Sequence, residues 1–379
     1  MIESATHDLS TVEAVLAEAD SLAFRVLADR VMAELPADAN GAVSITITIE
    51  GTSVEVGDVE VFGFSHSETL TPGLIGSVRE WIPAYGTAVI GATNDGVGIL
   101  YLTTRSGFSY DSIHTWRALY TLGQGADPYE IYTREASRDS ITSWRLTSAV
   151  PATRLDTYYA PPYAYWSVAR LAPDLWLWGS HHTLTTVRGP ATDGTYQTIL
   201  RIQAEETQGF VFLPSRNRVA LKGTLYGAGV PIFDTRTGDI AYRIAAITSS
   251  YALTATPDES ELIVVGRDTM TYDSLPYRIA VVDAETGETS SSAEFGIHPL
   301  DAEYDPVRNV IYVAGYVNPY IWVFDKETLE LRGRMLGPEV GFAETEMVVD
   351  EEAGLLHSVH GGSHVGATLV REFRLLPVQ

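Results

Sequence analysis

The feature that most restricts what this chain can fold into is a repeat with a period in the forties. Three segments align as Pro231-Ile-Phe-Asp-Thr-Arg-Thr-Gly-Asp239, Ala280-Val-Val-Asp-Ala-Glu-Thr-Gly-Glu288 and Trp322-Val-Phe-Asp-Lys-Glu-Thr-Leu-Glu330, with reference aspartates Asp234, Asp283 and Asp325 spaced 49 and 42 positions apart. A second element precedes each: Arg218-Val-Ala-Leu-Lys-Gly223, Glu261-Leu-Ile-Val-Val-Gly266 and Val310-Ile-Tyr-Val-Ala-Gly315, with Asp174-Leu-Trp-Leu-Trp-Gly179 as an earlier copy. Short β-branched and aromatic runs separated by tight-turn residues, repeated at this spacing, describe four-stranded sheets set around an axis, a β-propeller, and not a helical solenoid.

Segment 300–336 supplies a template of four strands, Leu300 to Tyr304, Val310 to Ala314, Tyr320 to Phe324 and Leu329 to Met335. Carried along the chain, it predicts an all-β, seven-bladed propeller, or six blades if the irregular stretch from Gly73 to Pro161 holds fewer units. The chain ends soon after the third strand of the last blade, Thr368 to Leu376. An open sheet edge there invites aggregation, so a strand from ahead of the first blade is expected to complete it. Val59 to Phe64 is the expected closing strand, within alternating segments beginning at Val43, Ile45, Ile47 and Ile49. Further upstream, Ser10-Thr11-Val12-Glu13 reads as a capping box. Val12, Val15, Leu16, Leu22, Val26 and Leu27 follow at three- and four-residue steps until Pro36, predicting an N-terminal α-helix over about 11–35 that docks other protein subunits or the propeller's flank. The expected organisation is an assembly segment over 1–40, β-strands with the closing strand over 41–72, and the propeller over 73–379.

Ile311-Tyr-Val-Ala-Gly315 followed by Val323-Phe-Asp-Lys-Glu-Thr328 resembles the YVTN-type propellers, whose blades carry a Tyr-Val strand and an Asp-x-x-Thr-Gly turn. The resemblance covers about 160–379. It implies a fold shared with sugar-lactone hydrolases and relatives of quinone-dependent dehydrogenases, so an enzyme of those kinds stands as the alternative to a binding protein. Such an enzyme would gather His, Arg and acidic residues in the central channel.

Composition narrows the partners. With 49 Asp and Glu against 25 Lys and Arg, the formal charge of -24 repels nucleic-acid phosphates. Only Lys222 and Lys326 are lysines. This balance resembles proteins of salt-loving archaea and their viruses, or an organism whose codons favour Arg. Carboxylate-rich surfaces stay hydrated when molar salt screens charge over about 3 Å. Disulfides and thiolate metal sites are impossible without cysteine. No apolar run reaches membrane-spanning length, and the start Met1-Ile2-Glu3-Ser4 lacks the layout of a signal peptide, so a virion or cytoplasmic setting in a halophile is expected.

No catalytic constellation stands out and no cofactor is expected. His357, His360 and His364 suggest a metal at first, but an odd separation places His357 and His360 on opposite faces of a strand. His181 and His182 are similarly opposed. Gly63-Phe-Ser65-His-Ser67 misses the last glycine of a nucleophile elbow, and Gly123-Gln-Gly125 lacks the third glycine of a dinucleotide loop. The Asp-x-x-Thr-Gly turns offer too few oxygens for calcium.

Loops between strands one and two, and three and four, of each blade share one side of the ring; the remaining loops share the other. Tyrosines gather on the latter: Tyr158, Tyr159, Tyr163, Tyr165, Tyr226, Tyr272, Tyr277, Tyr316 and Tyr320. Rigid rings with a hydroxyl suit recognition, so this side is the expected face for a protein partner, glycan or cell-surface ligand, unless the rings merely plug the channel mouth. The expected function is a non-enzymatic interaction protein, in one setting a tail, baseplate or surface component of a halophilic virus, and in another an intracellular scaffold.

Overall fold

The computed structural model describes the strands given below, with side chains at most positions from Glu130 onward, and the turns falling within 167–179, 183–189, 195–203, 206–224, 229–267, 276–296, 298–316 and 320–336, with 351 and 354. Seven antiparallel four-stranded units follow one another. They comprise Val78–Ile82, Thr87–Ala92, Gly96–Thr103 and Gly107–His114 in blade 1; Ala118–Gln124, Glu130–Glu135, Ser140–Arg145 and Thr153–Tyr159 in blade 2; and Ser167–Ala172, Leu175–Gly179, Thr183–Arg188 and Gln197–Gln203 in blade 3. Blade 4 is Glu206–Leu213, Arg218–Thr224, Val230–Asp234 and Ile240–Ile244; blade 5 is Ser249–Ala255, Glu261–Arg267, Tyr277–Asp283 and Thr289–Phe295. Blade 6 is Pro299–Asp305, Val310–Gly315, Tyr320–Asp325 and Leu331–Leu336, within a residue or two of the sequence template. First strands of successive blades adjoin each other around the ring, and that of blade 7 adjoins that of blade 1. The fold is an all-β, seven-bladed propeller.

Closure follows the expected principle with a shifted strand. Blade 7 orders Glu344–Asp350, Leu355–Gly362 and Ala367–Leu375, and its fourth strand is Gly63–Pro72, paired from Ala367↔Pro72 to Leu375↔Gly63. Of the expected stretch, Val59 and Glu60 belong to a different strand, Thr52–Glu60, paired with Ala42–Ile49. Phe64 lies in the closing strand. This ten-residue strand, nine of its residues paired, covers the whole edge, which the six residues of the expectation could not.

The expected N-terminal helix is replaced by short strands. Glu13–Leu16, containing Val15 and Leu16, pairs with Ala42–Ile49; Ala23–Leu27, containing Val26 and Leu27, pairs with Arg30–Glu34. Register sets Phe24 opposite Ala33 and Val26 opposite Val31, so an alternating pattern competes with the helical one in the same residues. β-Branched valines and an aromatic favour the strand. Val12, Leu22 and most of the capping box lie outside the described residues.

Each core cluster sits between two neighbouring blades. Ile263 and Val265 pack toward blade 6 with Ile311 and Val313, whereas Leu262 and Val264 pack toward blade 4 with Leu213 and Ala220. Val310, Tyr312 and Ala314 face blade 7 with Met347 and Phe373. Second strands are thus covered on both faces, which is why they read as continuous apolar runs instead of alternating ones. Each fully buried Ile, Val or Leu contributes about 1.5–3 kcal/mol relative to exposure.

Outer turns explain the aspartate repeat. In blade 5 the Asp283 carboxylate accepts from the N–H groups of Glu285 and Thr286 at 2.9 and 2.7 Å and from the Thr286 hydroxyl at 3.0 Å; Asp325 repeats this with Glu327 and Thr328. Asp234 accepts from the N–H of Arg236 at 2.8 Å and pairs with Arg218 at 2.7 Å. One oxygen of each of Asp283 and Asp325 is thus held by its own turn.

Candidate recognition face

Inner strands carry a recurring irregularity on the side singled out by the tyrosines. In blades 4, 5 and 6 the ladder between first and second strands slips after Thr207, Ser250 and Pro299, leaving Gln208, Tyr251 and Leu300 as extra residues. Opposite the residue before each slip stands the last glycine of the sequence repeat: Gly223, Gly266 and Gly315. At Gly266 a Cβ would lie 1.9 Å from the Ser249 carbonyl oxygen, so only glycine admits the close backbone approach. The periodic glycines therefore mark bulges, which re-aim side chains at the rim.

Around the blade 5 bulge the structure gathers a ring cluster. His298, in the loop entering blade 6, stacks on Tyr277 with centroids 5.2 Å apart and planes 9° from parallel. It meets the bulged Tyr251 edge-on at 4.8 Å, and Tyr316 leans on it at 5.5 Å. The Tyr316 N–H donates to the His298 carbonyl at 2.7 Å, which fixes the two loops to each other. Beneath them the Arg267 guanidinium, 5.0 Å from the Tyr251 centroid and 5.8 Å from that of Tyr277, places a cation over both ring faces. Burial, with Arg267 adding to it, holds the His298 imidazole below its ordinary pKa, so the ring is neutral at pH 7. Tyr316 is 48% exposed and caps the stack.

The expected tyrosines divide sharply. Tyr316 is exposed at the rim, but Tyr158, Tyr277 and Tyr320 are buried. Tyr277 and Tyr320 are the first residues of third strands and support their blades: the Tyr320 ring lies under Arg334 at 4.6 Å and meets Trp322 edge-on at 6.3 Å. Tyr158 belongs to the junction of blades 2 and 3, packed 4.7 Å from Trp176 with Arg170 3.3 Å from its hydroxyl. Tyr159 ends the same strand, its side chain outside the described residues, and Tyr163, Tyr165, Tyr226 and Tyr272 lie outside them altogether. Tyr251, Arg267 and His298 were not legible as site residues. Of the three, only Tyr251 had a usable signal, an aromatic in an inner strand beside a conspicuous glycine partner.

The motifs that the sequence raised and set aside are placed as follows. His357 is buried with Nδ1 3.3 Å from the Glu372 carboxylate, its neighbour across the ladder. Pairing over Leu355–Gly362 is unbroken; the side chain of His360, and His364, His181 and His182 altogether, lie outside the described residues. Among the described residues no group of three or more His, Cys, Asp or Glu is arranged for a metal. Gly63 and Ser65 sit in the closing strand, and Gly123 in the first strand of blade 2. The charged pair Lys222 and Asp301 is 2.7 Å apart and largely shielded from solvent.

No family model matches this chain, and no curated protein matches it. Among solved structures, a chain of one described as "Crystal Structure of Mitotic Checkpoint Complex" superposes with a TM-score of 0.60, covering 83% of this chain and 93% of that one at 14% identity. The likeness is one of fold. It agrees with a propeller and fixes no ligand. No helix among the described residues is long and apolar enough to cross a membrane.

Proposed function

We propose that this propeller is a non-enzymatic recognition protein that binds a protein partner through the face carrying Tyr316, His298, Tyr277 and Tyr251. The observation that carries the reading is a single exposed ring, Tyr316, seated on a buried stack with an arginine under it. Exposed aromatics that are already immobilised bind at low entropic cost, because little rotamer freedom is left to lose. The solved neighbour, by its title, belongs to a complex, which agrees with a propeller used for assembly. In its finer form the reading makes the protein a tail, baseplate or surface component of a halophilic virus, supported by the net charge of -24 and the presence of two lysines only. A glycan in place of a protein partner, or an intracellular scaffold, would show in the same experiment. A photoreactive residue at 316 is cross-linked in purified particles and in infected-cell extract, and the products are identified by mass spectrometry. A defined protein product lost on buried-stack disruption by His298→Ala supports the reading; absence of a product, or products unchanged by that variant, sinks it.

A further inference from the structure

On this same face the Leu221–Gly223 end of blade 4 acts as a hub for three other blades. The buried Ser250 hydroxyl of blade 5 accepts from the Gly223 N–H at 3.1 Å and lies 3.1 and 3.0 Å from the Leu221 and Gly223 carbonyl oxygens. Between those two residues, Lys222 reaches past blade 5 to Asp301 on the inner strand of blade 6, Nζ to Oδ1 2.7 Å. The other oxygen, Oδ2, accepts the Met347 N–H of blade 7 at 2.7 Å. Both charged side chains are largely shielded, at 12% and 4% exposure. The bulge at Leu300 shifts Asp301 by one place in the ladder, so that Asp301 and not Leu300 pairs with Ala314. Because strand parity alternates, this turns the carboxylate toward Lys222.

Asp301 follows His298 by three residues, so whatever holds the start of this strand also holds the imidazole in the ring stack. We propose that Lys222 is a positioning residue of the recognition face, whose ion pair with Asp301 keeps His298 seated between Tyr277 and Tyr316. The residue type suits the task. One carboxylate oxygen already serves a backbone N–H, and a compact ammonium on a flexible stem needs only the other, whereas the planar fork of Arg seeks both. That accounts for a lysine at this position in a chain otherwise furnished with Arg.

The proposal rests on the reading of this face as the recognition surface, but its first test needs no partner. Histidine-labelled full-length protein is examined by NMR in Lys222→Met, in Asp301→Asn, whose amide oxygen still accepts the Met347 N–H, and in Arg218→Met. The last removes an equally short ion pair, 2.7 Å to Asp234, from the opposite end of the same strand. The His298 resonance is assigned by its loss in His298→Gln. In Lys222→Met and Asp301→Asn it shifts and its titration midpoint rises toward the ordinary imidazole value, while Arg218→Met leaves both in place at a comparable loss of thermal stability. Unchanged His298 signals in folded Lys222→Met overturn the proposal. So does failure of both Lys222→Met and Asp301→Asn to fold while Arg218→Met folds, since the tie would then serve the whole ring. Displaced His298 with partner cross-linking intact keeps the positioning role and rejects the recognition reading instead.

Discussion

At the scale of single residues, the outer turns show how narrow the choices are. Gly238 and Gly287 take positive φ of 82° and 78° at the fifth position of the Asp-x-x-Thr-Gly turn, while Leu329 takes 56° at the same place in blade 6. Leu329 is buried against the cluster between blades 5 and 6, and that burial offsets the strain of a left-handed leucine. Gly287 has no such option, for a Cβ would lie 2.5 Å from the ring of Tyr242 in the preceding blade. Gly287→Ala should cost about 1–3 kcal/mol through overpacking and strain, read from urea denaturation in concentrated salt. His298 sets a pH dependence. Its folded pKa lies below its ordinary 6.5, so the unfolded chain binds the proton more readily. Its contribution to stability is therefore complete above about pH 6.5 and is lost as pH falls through the folded value. Melting temperatures across pH 4.5 to 7.5 should show that slope in the wild type and a flatter one in His298→Phe.

At the scale of elements, stability is concentrated where blades meet. On the side opposite Tyr316 one basic side chain bridges each of several junctions: the Arg188 guanidinium donates to the Arg236 carbonyl, Arg216 pairs with Glu285 at 3.3 Å, Lys326 with Glu261 at 2.6 Å, and Arg308 donates to the Leu375 carbonyl at 3.2 Å. Four of the chain's 25 Lys and Arg residues are thus used to join blades on this side. The closing strand matters most. Thr69 and Leu70 pair with Val370 and Leu369 midway along it; adjacent residues alternate in directing their N–H to the partner strand, so the double variant Thr69→Pro/Leu70→Pro removes a ladder donor and frees the edge of Ala367–Leu375. That variant should form larger species in light scattering at concentrations where the parent does not, while Thr289→Pro, at the start of an outer strand that ends its own sheet, should change little.

At the scale of the whole molecule, a charge of -24 on 379 residues opposes compaction unless counterions screen it. The denaturation midpoint should rise steeply between dilute buffer and molar potassium chloride; a midpoint insensitive to salt would remove the support that composition lends to a halophilic setting.

Local chemistry, carried in neighbouring residues, determined much of this protein: the blade period, the strands of blades 3 to 7, the self-capped aspartate turns and the need for a strand from upstream to finish the ring. Each is written in short-range patterns of polarity and turn residues. Identical short-range logic failed at 11–35, where helical and alternating patterns coexist and pairing partners decided for strands. Only the tertiary structure decided which tyrosines face solvent, because Tyr277 and Tyr320 differ from Tyr316 by a few positions at a strand end rather than by type. It alone brought Lys222 to Asp301 and His298 to Tyr251, pairs separated by 79 and 47 positions, since bulges reverse side-chain parity and ring closure sets distance in ways no local pattern encodes.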